Sequence, residues 1–230
     1  MQSPPPGPSG PLPAHQLGGR TDIDDPIPGI DDPERFHEGW EARIFGLWRT
    51  VSIEGLFTTD EFRRTVERMP AEDYHRMAYF ERWVHAVTQL CLEKGHISPA
   101  GLAAGLDRAA AHAHTHPSPT VDFAPPGGTG VYAPPVRERF AVGTRVRLHD
   151  GPGAHHRMPV WARGLTGVVV AVRGNFPLPD LIVDRGGAEA AEHYALYAVE
   201  IPATDAFPDA DPRDVLALDA YDPYLEEAGR

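Results

Sequence analysis

The chain is poor in the residue types that usually announce chemistry. It has one cysteine, Cys91, among 230 residues, so no internal disulfide can form, and its neighbours Val87, Leu90 and Leu92 place the thiol on an apolar face as a buried group. A reducing, cytoplasmic setting is expected. Lysine is almost absent, with Lys94 the only one among 21 basic residues. Positive charge is short overall: the net charge is -12 and the isoelectric point about 5.4, a balance that repels nucleic-acid backbones and anionic membranes and excludes both as partners. No apolar run approaches the ~20 residues that span a bilayer, and the N-terminal MQSPPPGPSGPLP has neither the charge nor the apolar core of a signal peptide. Catalytic signatures are missing too. There is no nucleophile elbow, no phosphate-binding glycine loop, no zinc helix motif and no cysteine pair.

What the chain does have is 41% hydrophobic residues, enough for a core, distributed in two patterns. Residues 1–32 hold Pro, Gly and Ser and then Asp22, Asp24, Asp25, Asp31 and Asp32; they read as an extended, partly disordered arm that cannot fold on itself. From 33 to 106 the periodicity is helical. Asp32 can cap and Pro33 can open a helix carrying Phe36, Trp40, Ile44 and Leu47. Thr58, Thr59, Asp60 and Glu61 offer a capping box to a short helix with Phe62, Val66 and Met69 on one face, beside which Arg63 sits. After Pro70 a longer helix with Met77, Phe80, Val84, Val87, Leu90 and Cys91 is expected to run to about Lys94 and stop at Gly95, and Ser98-Pro99 starts another.

Residues 107–138 are rich in Ala, His, Pro and Gly without a sustained period and read as an interdomain linker. The alternating His112, His114 and His116 within it have the ligand type but not the company of a metal site. Residues 139–230 change to short alternating or β-branched runs at Val142 to Leu148, Gly167 to Val172, Leu181 to Val183 and Tyr194 to Ile201, which predicts strands closing a small barrel. The fold class expected is therefore α+β, a helical domain followed by a β domain.

One stretch in the β half is built to present a side chain. Gly151, Pro152 and Gly153 break regular structure before His155-His156-Arg157-Met158-Pro159, and Gly164 and Gly167 punctuate the apolar run after it, so Arg157 is held on a constrained turn. This segment resembles the opening of the C-terminal domain of nitrile hydratase β subunits, whose pattern is Gly-His-x-Arg-Met-Pro followed by Arg-Gly-x-x-Gly. His155, Arg157, Met158, Pro159, Arg163, Gly164 and Gly167 fit it, with Ala154 inserted after Gly153. Further blocks occur in the family's order: His15-Gln16-Leu17-Gly18-Gly19, with Gln16 where Asp is usual, Phe36 to Glu41, Asp60-Glu61-Phe62-Arg63, Val66 to Met69, Tyr79 to Trp83, Leu196 to Val199 and Tyr224-Leu225-Glu226.

The resemblance implies an SH3-like barrel for the C-terminal part and an explanation for the missing catalytic signatures. In such hydratases a Co(III) or Fe(III) ion is held by an α subunit through a Cys-x-x-Cys-Ser-Cys loop with two oxidised cysteines, so no cofactor is expected on this chain. The partner implied is that α subunit, in a heterodimer with α2β2 or a higher assembly left open, and the substrate a small nitrile. Arg63 and Arg157 match the arginines that bind the oxidised cysteines, because a guanidinium offers anionic oxygens a permanent charge and a planar fork of donors. Tyr79 matches a tyrosine that orients groups at the metal. Phe62 and Trp83 match residues shaping the substrate pocket, and Trp at position 83 favours Co(III) over Fe(III). Thr59 stands where cobalt relatives often carry an apolar residue, which points to a more polar nitrile. Two other readings stay open beside this one: a thiocyanate hydrolase-type subunit, in which the two halves are separate chains, and a non-catalytic metallochaperone or activator of the α subunit, which shares the helical half.

Overall fold

The fold is a computed structural model describing residues 34–111, 137–149, 151, 155, 157–187 and 192–229. The N-terminal block at His15 to Gly19, the capping pair Asp32 and Pro33, the alternating His112, His114 and His116 and most of the expected linker lie outside the described residues. The chain divides into a helical unit and a sheet-bearing unit, and helices precede an antiparallel sheet, as an α+β class requires.

The helical unit contains α1 (Gly39–Ile53), α2 (Thr59–Glu67), α3 (Ala71–Arg76), α4 (Tyr79–Glu93) and α5 (Pro99–Ala111). Helix α1 begins later than the Asp32-Pro33 pair suggests. The Glu41 carboxylate accepts the main-chain N–H groups of His37 (2.5 Å) and Glu38 (3.1 Å), satisfying donors that would otherwise be orphaned and fixing the start at Gly39. Helix α2 starts as expected: Thr58 Oγ1 accepts the Glu61 N–H (3.1 Å) while Glu61 Oε2 accepts the Thr58 N–H (2.7 Å).

The single long helix expected after Pro70 is two. Met77 and Ala78 are extended, and the Glu81 carboxylate accepts the Ala78 N–H at 2.7 Å, so a fresh N-terminus opens at Tyr79. Helix α5 continues to Ala111, five residues into the stretch read as irregular. Three consecutive alanines propagate a helix without needing an apolar face. The core of this unit joins Ile44, Phe57, Phe62, Phe80, Ala86, Val87 and Leu90, with Phe36, Trp40, Phe45, Trp48 and Trp83 packed against them.

In the second unit five strands, β1 (Arg145–Leu148), β2 (Thr166–Pro177), β3 (His193–Pro202), β4 (Val215–Tyr221) and β5 (Leu225–Glu227), form one antiparallel sheet in the order β4-β3-β2-β1-β5. Among the described residues the sheet is open, with β4 paired to β3 alone and β5 to β1 alone. Alternation sorts the faces: in β1, Val146 and Leu148 are buried and Arg145 and Arg147 exposed. Inward residues Val146, Leu148, Val169, Tyr197, Val199, Ile201 and Ala220 share the core with Phe140, Met158, Leu178 and Tyr224. Two register shifts in β2, at Val169/Ala171 and Val172/Gly174, increase its twist and bend the sheet around that core. Gly167 is dictated by proximity, because a Cβ there would lie 2.5 Å from Val199 Cγ1 and 2.6 Å from the Glu200 carbonyl oxygen.

Leu181, Ile182 and Val183, expected as a strand, belong instead to helix α6 (Pro179–Arg185). Pro179 at its first turn presets φ, Asp180 and Arg185 match the helix dipole at their respective ends, and Gly186 closes it at φ 76°. The end signals outweigh three β-branched and aliphatic side chains. A four-residue helix, α7 (Ala203–Ala206), links β3 to β4.

Candidate functional site

Five of the six residues singled out by the sequence lie in the helical unit, on α2 and α4. Thr59 is the first residue of α2 and exposed; Phe62 follows on the buried face and Arg63 on the open one. The Arg63 side chain is 52% exposed, and its Nη1 lies 3.6 Å from Asp60 Oδ1, a loose contact one turn away. Tyr79 opens α4, 62% exposed, with its ring edge-on to Phe80 at 5.0 Å between centroids and 5.7 Å from Trp83.

Trp83 is the hub. Its ring centroid is 5.0 Å from that of Phe62 and 5.0 Å from that of Trp48, both edge-on, and 5.6 Å from those of Phe45 and Phe80. Edge-to-face aromatic packing of this kind is directional and fixes ring planes more sharply than aliphatic contacts do. The structure thus brings Phe62, Trp83 and Tyr79 into one aromatic wall. Trp48 was missed in the sequence, although its place one turn beyond Ile44 puts it on the same stripe. It touches both Phe62 and Trp83, at 5.7 and 5.0 Å, and its Nε1 is buried with no hydrogen-bond acceptor among the described residues.

Two cross-links clamp α2 to α4 behind this wall. Lys94 Nζ lies 2.7 Å from Glu61 Oε1, and Arg64 Nη2 lies 2.7 Å from Glu93 Oε2. Glu61 is buried, which on its own would raise its pKa, but the hydrogen bonds from Lys94 and Thr58 outweigh the desolvation and hold it below the ordinary glutamate range. The sole lysine of the chain therefore has a structural post.

Arg157 belongs to the sheet unit. Its side chain is exposed, flanked by buried His155 and Met158. Its main-chain N–H donates to the hydroxyl of Tyr224 at 3.2 Å, and that hydroxyl donates to Asp180 Oδ2. Gly151, near the start of the same loop, lies so close to this pair that a Cβ would fall 2.1 Å from Tyr224 Cε1 and 2.5 Å from Asp180 Oδ1. Tyr224 carries one of the sequence blocks quoted above, but Asp180 had no signal there, because the pairing spans 44 positions.

Among the described residues there is no cluster of three His, Cys, Asp or Glu side chains able to hold a metal ion, and no helix is long and apolar enough to cross a membrane. Cys91 is half-buried, and burial pushes its thiol pKa up, away from the thiolate form that metals and electrophiles need.

Comparison with known proteins covers nearly the whole chain. Residues 13–125 match the family profile of the nitrile hydratase beta subunit, N-terminal, and residues 131–227 that of the nitrile hydratase beta subunit, C-terminal. The low-molecular weight cobalt-containing nitrile hydratase subunit beta of Rhodococcus rhodochrous is 31% identical over 92% of this chain and 97% of its own length. The nitrile hydratase subunit beta of Pseudomonas putida is 30% identical over 84% of this chain and 89% of its own. Among solved structures, a chain of the recombinant apo-enzyme of thiocyanate hydrolase from Thiobacillus thioparus is 25% identical, covering 40% of this chain and 78% of that one at a TM-score of 0.36.

Proposed function

The chain belongs to the nitrile hydratase β-subunit family, and from that membership we propose that it forms, with an α subunit, a lyase that adds water to a nitrile to give the amide. The observation that carries the reading is the joint presence, each in its matched block, of exposed Arg63 and Arg157 and of the aromatic wall of Phe62, Trp83 and Tyr79. The five-stranded sheet is read as a small SH3-like barrel, supported by the bulges that bend β2, and the domains as an arm (1–32), a helical domain (33–106), a linker (107–138) and the barrel domain (139–230).

A trivalent metal held by the α subunit, cobalt in preference to iron given the cobalt-containing relative, supplies Lewis-acid activation of the nitrile or of water when bound. The residues of this chain do the rest of what β contributes. Arg63 and Arg157 each present a planar pair of N–H donors to the anionic oxygens of oxidised cysteines in the partner, a match that a point charge does not reproduce. Phe62 and Trp83 wall the substrate's apolar part and exclude water from it. Tyr79, with its hydroxyl on an exposed ring, is placed to orient a polar group at the centre, and Thr59 adds a hydroxyl one turn before Arg63, which favours nitriles with a polar substituent.

Presence of both family regions in one chain supports a β subunit over the separate-chain thiocyanate hydrolase type, and the intact sheet unit supports it over a metallochaperone built on the helical half alone. Co-expression with a Cys-x-x-Cys-Ser-Cys α chain should give a stable heteromer on gel filtration that converts a nitrile to its amide. A folded β monomer with no affinity for α would end the proposal.

A further inference from the structure

One buried tyrosine holds both ends of the loop that carries Arg157. On the near side, the His149 N–H donates to the main-chain carbonyl of Tyr224 at 2.9 Å; on the far side, the Arg157 N–H donates to the hydroxyl of the same residue at 3.2 Å. That hydroxyl in turn donates to Asp180, which is 0% exposed, and Tyr224 itself is 1% exposed. The three groups come from the loop, from the first turn of α6 and from the turn between β4 and β5, so the fold assembles them from distant parts of the chain. A phenylalanine would fill nearly the same volume but would take the hydroxyl's hydrogen bonds from the buried Asp180 carboxylate and the Arg157 N–H. A carboxylate and a hydroxyl removed from water cost free energy unless their hydrogen bonds are made, and here those bonds end on the arginine's main chain.

We infer that Tyr224 and Asp180 are positioning residues for Arg157: the carboxylate fixes the hydroxyl, the hydroxyl fixes the main chain of the arginine, and the guanidinium is thereby presented at one place. The inference rests on the reading of Arg157 as a functional arginine. Burial and the adjacent carboxylate push the Tyr224 hydroxyl far above the ordinary tyrosine range, so it keeps the proton it donates to Asp180 while accepting from Arg157. The tight approach of Gly151 to both side chains ties the loop's entrance to the same pair, where any larger residue would push them apart.

The test uses the α–β complex, with kcat and KM measured for Tyr224→Phe, for Arg157→Lys and for the two combined. Tyr224→Phe should lower kcat about ten- to a hundredfold, the scale of a misplaced catalytic contact, with KM within about twofold. In the Arg157→Lys background the same change should cost less than about twofold, because no correctly shaped fork is left to aim. A merely structural tyrosine would produce the same loss in both backgrounds. Should Tyr224→Phe fail to assemble, Asp180→Asn makes the same comparison, with a kcat drop of about threefold or more expected from the weaker acceptor. A kcat within about twofold of the unsubstituted complex, or equal losses in both backgrounds, overturns the inference. Near-normal turnover of Arg157→Lys alone is a separate result that removes Arg157 from the site.

Discussion

Arg63 and Arg157 differ in how firmly the fold holds them. Among the described residues Arg63 makes the 3.6 Å contact with Asp60 within its own helix and no other ion pair, so its final geometry is left to what it meets, whereas Arg157 is tied at its main chain. A guanidinium donating to a buried anion should not be replaceable by an ammonium. Removing one partner from such a pair costs about 3–5 kcal/mol, and a comparable loss of transition-state stabilisation lowers turnover by at least about a hundredfold. Arg63→Lys should therefore leave the fold of the β chain itself nearly unchanged, since the side chain is half exposed there, while turnover of the assembled complex collapses and the oxidation state of the partner's cysteines, read by mass spectrometry, shifts. Turnover within about threefold of normal would remove Arg63 from the proposed site. Thr59 is the residue whose exchange should instead alter substrate preference, and a Thr59→Leu complex comparing apolar with polar nitriles reads that directly.

At the scale of elements, the end signals carry the structure more than the apolar periodicity does. The α2 capping box was legible in Thr58 to Glu61 and is present as expected. Thr58→Ala should cost about 1 kcal/mol of stability, seen as a lower denaturant midpoint, and because α2 carries both Phe62 and Arg63, activity should fall with it under mildly destabilising conditions. What was not legible has the same physical origin in each case. Glu41 and Glu81 reach back three residues to start helices at Gly39 and Tyr79, overriding the Asp32-Pro33 start and splitting the expected helix after Pro70. The Pro179 to Gly186 frame turned Leu181, Ile182 and Val183 into helix. Strand β4 went unread because exposed Val215, Ala217 and Asp219 give it little apolar contrast. The aromatic wall of Phe62, Trp83 and Tyr79 was legible through its blocks and Trp48 through the α1 stripe, while Asp180 acts through a contact with Tyr224, 44 positions away, that no local pattern encodes.

For the molecule as a whole, two buried carboxylates give its halves opposite responses to acid. In the helical unit Glu61 is held below its ordinary range by Lys94 and Thr58, so its stabilising contribution is complete at neutral pH and is lost as pH falls through that depressed value. In the sheet unit Asp222 is raised by burial, against the pull of Arg139 at 3.2 Å and of the Tyr197 hydroxyl. Its ionised form is a cost to folding at neutral pH, and that cost is relieved as pH drops through the raised value. Acid titration followed by tryptophan fluorescence, dominated by Trp40, Trp48 and Trp83 of the helical unit, should therefore report unfolding there first. Glu61→Gln should flatten that acid limb, and an unchanged limb would assign the acid sensitivity elsewhere.

The open sheet has a further consequence. Edge strands β4 and β5 each end the ladder with a row of main-chain donors and acceptors that have no strand beside them among the described residues, which is the chemical means by which a second copy could add itself and grow a fibril. Sequence at those edges works against it: β5 is three residues long and carries Glu226 and Glu227, and Asp219 places an exposed carboxylate within β4. The chain's excess negative charge is thus spent partly on keeping copies apart while each waits for a different partner, a protection that weakens wherever those carboxylates are neutralised.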